Sequence, residues 1–239
     1  MQMKSIFKSF FSLSLLIGTA LYAQEPIAND SLQSFPHAKT DPVKIKNDSI
    51  FRGFSLKFDV FNPIYNTLST SGRTSDAEVA LNVNLLNSYF PALELGFASC
   101  THTALNSATY SGRGVFTRIG SDFNIMKDKS NSDYLFFVGL RAGMVWQDFD
   151  INNINVDGNY WGGGVLIQFA DVSRFDAWGE VLAGVQVNVF RGFNMGWTLR
   201  YKYLLTKTTD GDPNAWYVPG FGPYSDSLWG FNYYIGYTF

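Results

Sequence analysis

From Arg52 to Phe239 the chain is a series of segments in which apolar and polar side chains alternate with a period of two. The first segment sets Phe54, Leu56, Phe58 and Val60 against Ser55, Lys57 and Asp59. Repeated segments of roughly 10 residues with this alternation are typical of transmembrane β-strands, which turn one face to lipid and the other to a lumen. The pattern therefore predicts an all-β protein that folds as an antiparallel transmembrane β-barrel.

The turns between the segments predict the number of strands. Alternating segments lie near residues 54–60, 77–85, 93–98, 115–125, 136–146, 177–190, 194–206 and 228–239. Short turns alternate with long connections near 63–75, 99–112, 147–176 and 207–226, as periplasmic turns alternate with external loops in outer-membrane barrels. Both ends of such a barrel face the periplasm, so the strand number is even and Val165–Phe169 is assigned to the third external loop as a strand extension. We expect eight strands, with ten as the alternative.

The first 23 residues have the pattern of a secretory signal peptide. Lys4 and Lys8 precede an apolar stretch from Phe10 to Ala20, and Ala23 marks the expected cleavage site. Elsewhere the chain has no apolar run of about 20 residues, the length that a transmembrane helix needs. The expected organisation is a signal peptide at 1–23, a flexible periplasmic segment at 24–51 that is rich in polar residues and proline, and the barrel at 52–239. The predicted location is the outer membrane of a Gram-negative bacterium.

Composition excludes several other classes of protein. Cys100 is the only cysteine, so no intramolecular disulfide stabilises the fold and no cysteine near Ala23 can carry a lipid anchor. Removal of the signal peptide takes away two of 18 basic residues and none of 20 acidic ones, which leaves a net charge of −4. A nucleic-acid partner is not expected, because phosphate binding needs a concentrated basic surface.

The final segment carries a more specific pattern than the others. One of its faces consists of Phe231, Tyr233, Ile235, Tyr237 and Phe239. An alternating segment that ends on an aromatic residue resembles the C-terminal signal by which the outer-membrane insertion machinery recognises its substrates. The expected partners are therefore outer-membrane lipid and that machinery, and any extracellular ligand is unknown.

Four segments resemble a known family. They are Phe90–Gly96, Arg118–Asn124, Gly196–Lys202 and Pro219–Gly222. They are similar to a family of uncharacterised small outer-membrane β-barrels from the Bacteroidota type of Gram-negative envelope, and the similarity covers about residue 48 to the end. The resemblance implies a fold and a location, and it brings no known activity.

The predicted inward faces carry equal numbers of acids and bases. They are Lys57, Asp59, Glu78, Glu94, Arg118, Asp122, Arg141, Glu180, Arg200 and Lys202. The interior of an eight-stranded barrel is just wide enough to be filled by side chains, and isolated buried charges are costly. A charge network that fills the interior is therefore the favoured interpretation, and a selective pore lined by these residues is the alternative. Pairs such as Asp59 and Glu78 could bind a cation or transfer protons, but no motif singles one out.

Two further features could carry a function. His102, near Ser99, Thr101 and Thr103, could belong to a lipid hydrolase, although no serine stands at a recognisable spacing and a loop histidine without a role is favoured. His37 lies in the predicted flexible segment and completes no metal site. The aromatic loop residues are expected in the interfacial girdle, with an exposed ligand surface as the alternative. They are Trp161 with Gly162 to Gly164, and Trp216 with Tyr217, Pro219, Gly220 and Phe221.

The sequence thus predicts an integral outer-membrane protein that is not an enzyme and has neither cofactor nor metal. Its role is expected to be structural or to consist of binding through the external loops. A narrow porin-like channel is the alternative, and a lipid-modifying hydrolase is a further one.

Overall fold

The alternating segments form the strands of the protein. The computed structural model describes residues 50–62, 73–105, 107–127, 133–156, 165–207 and 213–239. Within them the strands are β1 (Phe51–Asp59), β2 (Arg73–Leu85), β3 (Tyr89–Thr103), β4 (Thr109–Asn124), β5 (Tyr134–Val156), β6 (Val165–Phe190), β7 (Phe193–Leu204), β8 (Tyr217–Val218), β9 (Gly222–Pro223) and β10 (Ser227–Thr238). The predicted signal peptide at 1–23 and nearly all of the predicted segment at 24–51 lie outside the described residues.

Eight of these strands close into one antiparallel barrel. Their order around the barrel is β1, β10, β7, β6, β5, β4, β3, β2, and β1 pairs with β10 to close the ring. A closed ring leaves no strand edge unpaired, which is the condition for a sheet to span lipid. The predicted eight-stranded antiparallel barrel is confirmed. The two short strands β8 and β9 pair only with each other, as a separate hairpin.

The barrel is apolar outside and polar inside. Val115, Ile119 and Leu140 are each more than half exposed on the outer surface. Their neighbours Arg118 and Arg141 are buried in the lumen. This distribution reverses that of a soluble protein, and it is the one that a lipid environment favours. Among the described residues, no helix is long and apolar enough to cross a membrane.

The strands extend further than the alternation predicts. β3 and β4 reach Thr103 and Thr109, so most of the expected 99–112 connection is strand. β5 and β6 continue to Val156 and Val165, and Ile167 pairs with Ile154 in this extension. The prediction of an extended third loop with strand structure agrees with this pairing. The extensions were harder to predict because outward positions such as Ser111 and Asp148 become polar there, so the apolar alternation ends before the strand pairing does.

The two ends of the barrel differ. Tight turns lie at one end, where Leu86 and Asn87 have φ of 57° and 53° and Arg191 and Gly192 have φ of 41° and 84°. Positive φ in such short turns suits the right-handed twist of the paired strands. We call this the turn end, and it also holds both ends of the barrel segment, at Phe51 and Phe239. The opposite end, where the long connections lie, is called the loop end.

Candidate functional site

The lumen contains a buried ionic layer centred on Glu94. This carboxylate from β3 accepts hydrogen bonds from three arginines. The donors are Arg118 of β4 at 2.9 Å, Arg141 of β5 at 3.0 Å, and Arg200 of β7 at 2.8 and 3.1 Å. Only 2% of the Glu94 side chain is exposed. A buried carboxylate is tolerable when charge-assisted hydrogen bonds replace its water, and here three guanidinium groups do so.

Three more acids complete the ionic layer. Glu78 lies 2.8 Å from Arg118, and Asp122 lies 2.7 Å from Arg141. Glu180 lies 3.0 Å from both Arg118 and Arg200 and also accepts a hydrogen bond from the indole of Trp178 at 2.6 Å. These contacts join β2, β3, β4, β5, β6 and β7 across the lumen. We use the name ionic layer for Glu78, Glu94, Arg118, Asp122, Arg141, Glu180 and Arg200.

The other three predicted charges also face the lumen, but they have different partners. Lys57 lies 4.6 Å from the centre of the Tyr234 ring, close enough for a cation–π contact. Asp59 accepts hydrogen bonds of 2.6 Å from the amides of Asn62 and Asn232. Lys202 donates to two main-chain carbonyls of the hairpin, as described below. All ten residues therefore line one interior, and Asp59 and Glu78 have separate partners.

The loop-end half of the lumen is filled by a hairpin from the connection between β7 and β10. Residues 217–223 form β8, a tight turn and β9, and the Phe221 amide donates to the Val218 carbonyl at 3.0 Å. Proline at the second position and glycine with φ of 79° at the third are what a type II turn requires. A Cβ on Gly220 would lie 2.6 Å from the Phe116 ring, so the turn favours glycine at this position. We call this segment the plug hairpin.

Polar contacts fasten the plug hairpin to the ionic layer and to the barrel wall. Arg118 donates to the Gly220 carbonyl at 2.7 Å, and Lys202 donates to the Gly220 and Phe221 carbonyls at 2.8 and 3.0 Å. The Tyr110 hydroxyl donates to the Tyr217 carbonyl at 2.9 Å. Arg118 therefore belongs both to the ionic layer and to the anchorage of the hairpin.

Apolar packing holds the sides of the plug hairpin. Val218 and Phe221 are almost completely buried in a cluster formed by the barrel wall, whose members are Ala98, Phe116, Val145, Trp178 and Leu204. Ala98 on β3 is the smallest member of this cluster, and the Phe116 and Trp178 rings of the wall occupy the space above Gly96 and Gly143. The lumen is thus filled by ions near its middle and by an inserted segment near its loop end.

The prediction of an interfacial girdle was wrong for the aromatic residues of this segment. Phe221 is 1% exposed, Tyr217 and Trp216 are half-buried, and all of them lie inside the barrel. Folding into the lumen buries more of their apolar surface than a girdle position would. Trp161 and Gly162 to Gly164 lie outside the described residues.

A cavity of about 610 Å³ remains between the plug hairpin and one wall of the barrel. Its lining residues include Thr74, Asp76 and Glu78 of β2, Cys100 of β3, Tyr217 of the plug hairpin, Trp216 just before it, and Asn232 of β10. Burial raises the pKa of the Tyr217 phenol, which keeps this group neutral. Ligand sites commonly measure about 300 to 1,000 Å³, so the cavity has the size of a small-molecule site. Sequence reasoning missed it because the hairpin forms one of its walls.

His102 lies at the rim of this cavity, with its ring 6.3 Å from that of Trp216. Successive side chains of a strand point to opposite faces, so Ser99, Thr101 and Thr103 lie on the other face of β3 from His102. None of these three hydroxyls is aligned with the imidazole as a nucleophile would be. Within the described part of the chain, no group of three His, Cys, Asp or Glu side chains could hold a metal ion.

The geometry defines a class of protein: an eight-stranded membrane β-barrel whose lumen holds a buried ionic layer and an inserted hairpin. The chain belongs to the family described as "Domain of unknown function (DUF6048)", whose model matches residues 3–239. The predicted membership of an uncharacterised barrel family is thereby confirmed.

Two further comparisons concern solved structures and curated proteins. Among solved structures, the chain is similar to Ail, the attachment invasion locus protein of Yersinia pestis, crystallised in complex with the heparin analogue sucrose octasulfate. The identity is 14%, the TM-score is 0.39, and the match covers 78% of this chain and 94% of that one. Comparison with curated proteins finds no similar sequence.

Proposed function

We propose that this protein is a non-conducting, non-enzymatic barrel of the outer membrane of a Gram-negative bacterium and that it binds a ligand at its loop end. The observation that carries the proposal is the double closure of the lumen, by the ionic layer and by the plug hairpin. A barrel closed in this way offers a rigid support and a shaped loop-end surface. It offers no continuous path for solutes.

The ionic layer argues against the porin alternative. The cavity among its side chains, lined by Lys57, Asp122 and Arg200 with others, measures about 30 Å³, compared with about 610 Å³ for the cavity beside the plug hairpin. A hydrated ion would have to break several buried ion pairs to pass, and each broken pair leaves an uncompensated charge. The plug hairpin adds a second barrier on the loop-end side.

The apolar outer surface supports the membrane location. Lipid is the partner that its exposed Val, Ile, Leu and Phe side chains fit. The expected signal peptide at 1–23 would direct export. Insertion would use the outward face of β10, where Phe231, Tyr233, Ile235 and Tyr237 lead to Phe239, whose ring stacks on that of Phe54 at 4.8 Å. The loop end then faces the exterior, because signal-directed export delivers the turn end and both barrel termini to the periplasm.

Binding at the loop end is supported by the cavity beside the plug hairpin. It combines aromatic rings with buried polar groups, the composition that small-molecule sites share. The hydrolase alternative has no comparable support, since the hydroxyls nearest to His102 in sequence point to the opposite face of β3.

Single-channel recording on the refolded full chain in planar bilayers tests the proposal. Wild-type protein should give no conductance steps. A variant in which residues 213–226 are replaced by a Gly/Ser linker should also stay silent, because the ionic layer remains. Heat-modifiable gel mobility and protease resistance of each preparation show that the barrel is folded and inserted.

Reproducible conductance steps from the wild type would overturn the proposal. Steps from the linker variant alone would show that the hairpin closes the lumen and the ionic layer does not. A combination of the linker with Glu94→Ala and Arg200→Ala removes both closures and serves as the positive control, for which we expect conductance.

A further inference from the structure

Glu78 is the acid of the ionic layer that faces the cavity beside the plug hairpin. Its side chain is 9% exposed, compared with 2% for Glu94, 0% for Glu180 and 4% for Asp122. Its Oε1 atom lies 2.8 Å from Arg118 and 3.9 Å from Arg200. Within the described residues no group donates a hydrogen bond to Oε2. A carboxylate offers about four acceptor positions, so Glu78 keeps acceptor capacity for a ligand.

The cations at the cavity are engaged by the protein. The guanidinium nitrogens of Arg118 lie within 3.0 Å of three carboxylates, and Nη2 donates to the Gly220 carbonyl. Lys202 donates to two carbonyls of the hairpin. An anionic ligand would therefore have to displace existing partners. The lining favours a ligand that donates hydrogen bonds rather than one that accepts them.

Two neighbouring groups extend the acceptor wall. Asp76 precedes Glu78 by two residues on the same face of β2, so both carboxylates line the cavity. Asn232 uses its amide nitrogen to donate to Asp59, which leaves its amide oxygen for a ligand. Aromatic residues also line the cavity, namely Tyr217 from the plug hairpin, Trp216 just before it, and Phe116 from β4.

Together these groups have the chemistry of an amine site. A protonated amine would donate charge-assisted hydrogen bonds to the carboxylate, and the aromatic rings would contact the attached apolar body and stabilise the positive charge. We propose that the cavity between the plug hairpin and β2 binds a small organic ammonium ion with an apolar or aromatic body, with Glu78 as the counter-ion. This inference rests on the proposed loop-end binding function and names its ligand class.

Isothermal titration calorimetry on the full chain, folded in detergent micelles, tests the ligand class. The probes are phenethylammonium, the neutral 2-phenylethanol, which has nearly the same shape, and a methyl glucoside. We expect phenethylammonium to bind at least about tenfold more tightly than 2-phenylethanol, because only the amine forms the ion pair with Glu78. Equal affinity of amine and alcohol, preference for the glucoside, or no binding of any probe would each overturn the inference.

A matched pair of substitutions tests the position of the counter-ion. Glu78→Gln should weaken phenethylammonium binding at least about tenfold and leave 2-phenylethanol unchanged. Glu180→Gln makes the same chemical change at another carboxylate near Arg118, but Glu180 does not line the cavity. It should change the affinity less than about threefold. A loss of equal size in both variants would contradict the assignment of Glu78.

Cys100 supplies a readout on the unsubstituted protein, in case Glu78→Gln does not fold. This thiol lines the cavity, so bound phenethylammonium should slow its alkylation by a maleimide. Thr74→Phe, which fills the cavity without removing a charge, should abolish both the binding heat and the protection. Alkylation of Cys100 at the same rate with and without saturating phenethylammonium would disprove occupancy of the cavity.

These outcomes are independent of conductance. A barrel that neither conducts nor binds an amine refutes only this inference, whereas a barrel that conducts refutes the proposed function.

Discussion

The two halves of the lumen are filled in different ways. In the half that contains the ionic layer, side chains of the barrel strands meet across the interior, and Glu94 accepts hydrogen bonds from three arginines. In the loop-end half, apolar side chains of the wall such as Phe116 and Trp178 pack on Val218 and Phe221 of a segment from outside the ring. Charged side chains of the wall thus contact one another directly, whereas its apolar side chains pack against an inserted segment. The ionic half is therefore local to the strands, and the apolar half depends on a long connection.

The ionic half should be the more sensitive of the two to a single substitution. Glu94→Gln removes the charge shared by Arg118, Arg141 and Arg200. Removal of one partner from a buried ion pair costs about 3 to 5 kcal/mol, so we expect the free energy of unfolding to fall by about 4 kcal/mol. Urea unfolding in detergent micelles, followed by tryptophan fluorescence, measures the change. Asp148→Asn, at an exposed acid that accepts from Ser173, is the control and should cost under about 0.5 kcal/mol. A loss below about 1 kcal/mol for Glu94→Gln would mean that the ionic layer is not the stabilising centre.

The apolar half should respond to loss of packing. Phe221→Ala removes the buried ring that contacts Trp178, whose centre lies 6.0 Å away. Truncation of a buried phenylalanine lowers the free energy of unfolding by about 3 to 5 kcal/mol. We expect about 3 kcal/mol here, because the hairpin can partly collapse into the space that the ring leaves.

The accessibility of Cys100 distinguishes the two halves in the same variant. The thiol lies beside Ala215 and Tyr110, and release of the hairpin would expose it. Its alkylation by a maleimide should be faster in folded Phe221→Ala than in folded Glu94→Gln. The reverse order would show that the hairpin is held from the ionic layer rather than by its own apolar contacts.

This contrast also explains how much could be predicted from the sequence. The alternation of apolar and polar residues fixes which face of a strand each residue is on. The sequence therefore predicts that Lys57, Glu94 and Arg200 face the lumen. It does not fix the partners, because Glu94 and Arg200 lie 106 residues apart and meet only after the ring closes.

The plug hairpin was missed for a different reason. Its strands have two residues each, too few for any period to appear. The turn signal Val218-Pro219-Gly220-Phe221 was present, but its position depends on tertiary structure.

A backbone substitution sharpens the role of the hairpin turn. Gly220→Ala places a methyl group at a positive φ and 2.6 Å from the Phe116 ring. We expect a loss of about 1 to 2 kcal/mol, because a left-handed conformation disfavours alanine and the ring must shift. Gly179→Ala is the matched control, since a Cβ there meets nothing within 4 Å. Equal changes in the two variants in the urea unfolding assay would show that the hairpin turn adapts freely.

The smallest expected effect lies outside both halves, in a turn between β2 and β3. Leu86 has φ of 57° and is about half exposed, so it carries the cost of a left-handed conformation with little burial in return. Asparagine adopts that conformation more readily, and Leu86→Asn should raise the free energy of unfolding by about 0.5 to 1 kcal/mol. Leu205→Asn, at another exposed leucine that does not have positive φ, should not stabilise the protein. The turn touches neither the ionic layer nor the hairpin. In double variants, the change in the free energy of unfolding caused by Leu86→Asn should therefore add to that of Glu94→Gln or Phe221→Ala within about 0.5 kcal/mol. A non-additive result with only one of them would show that this turn is coupled to that half of the lumen.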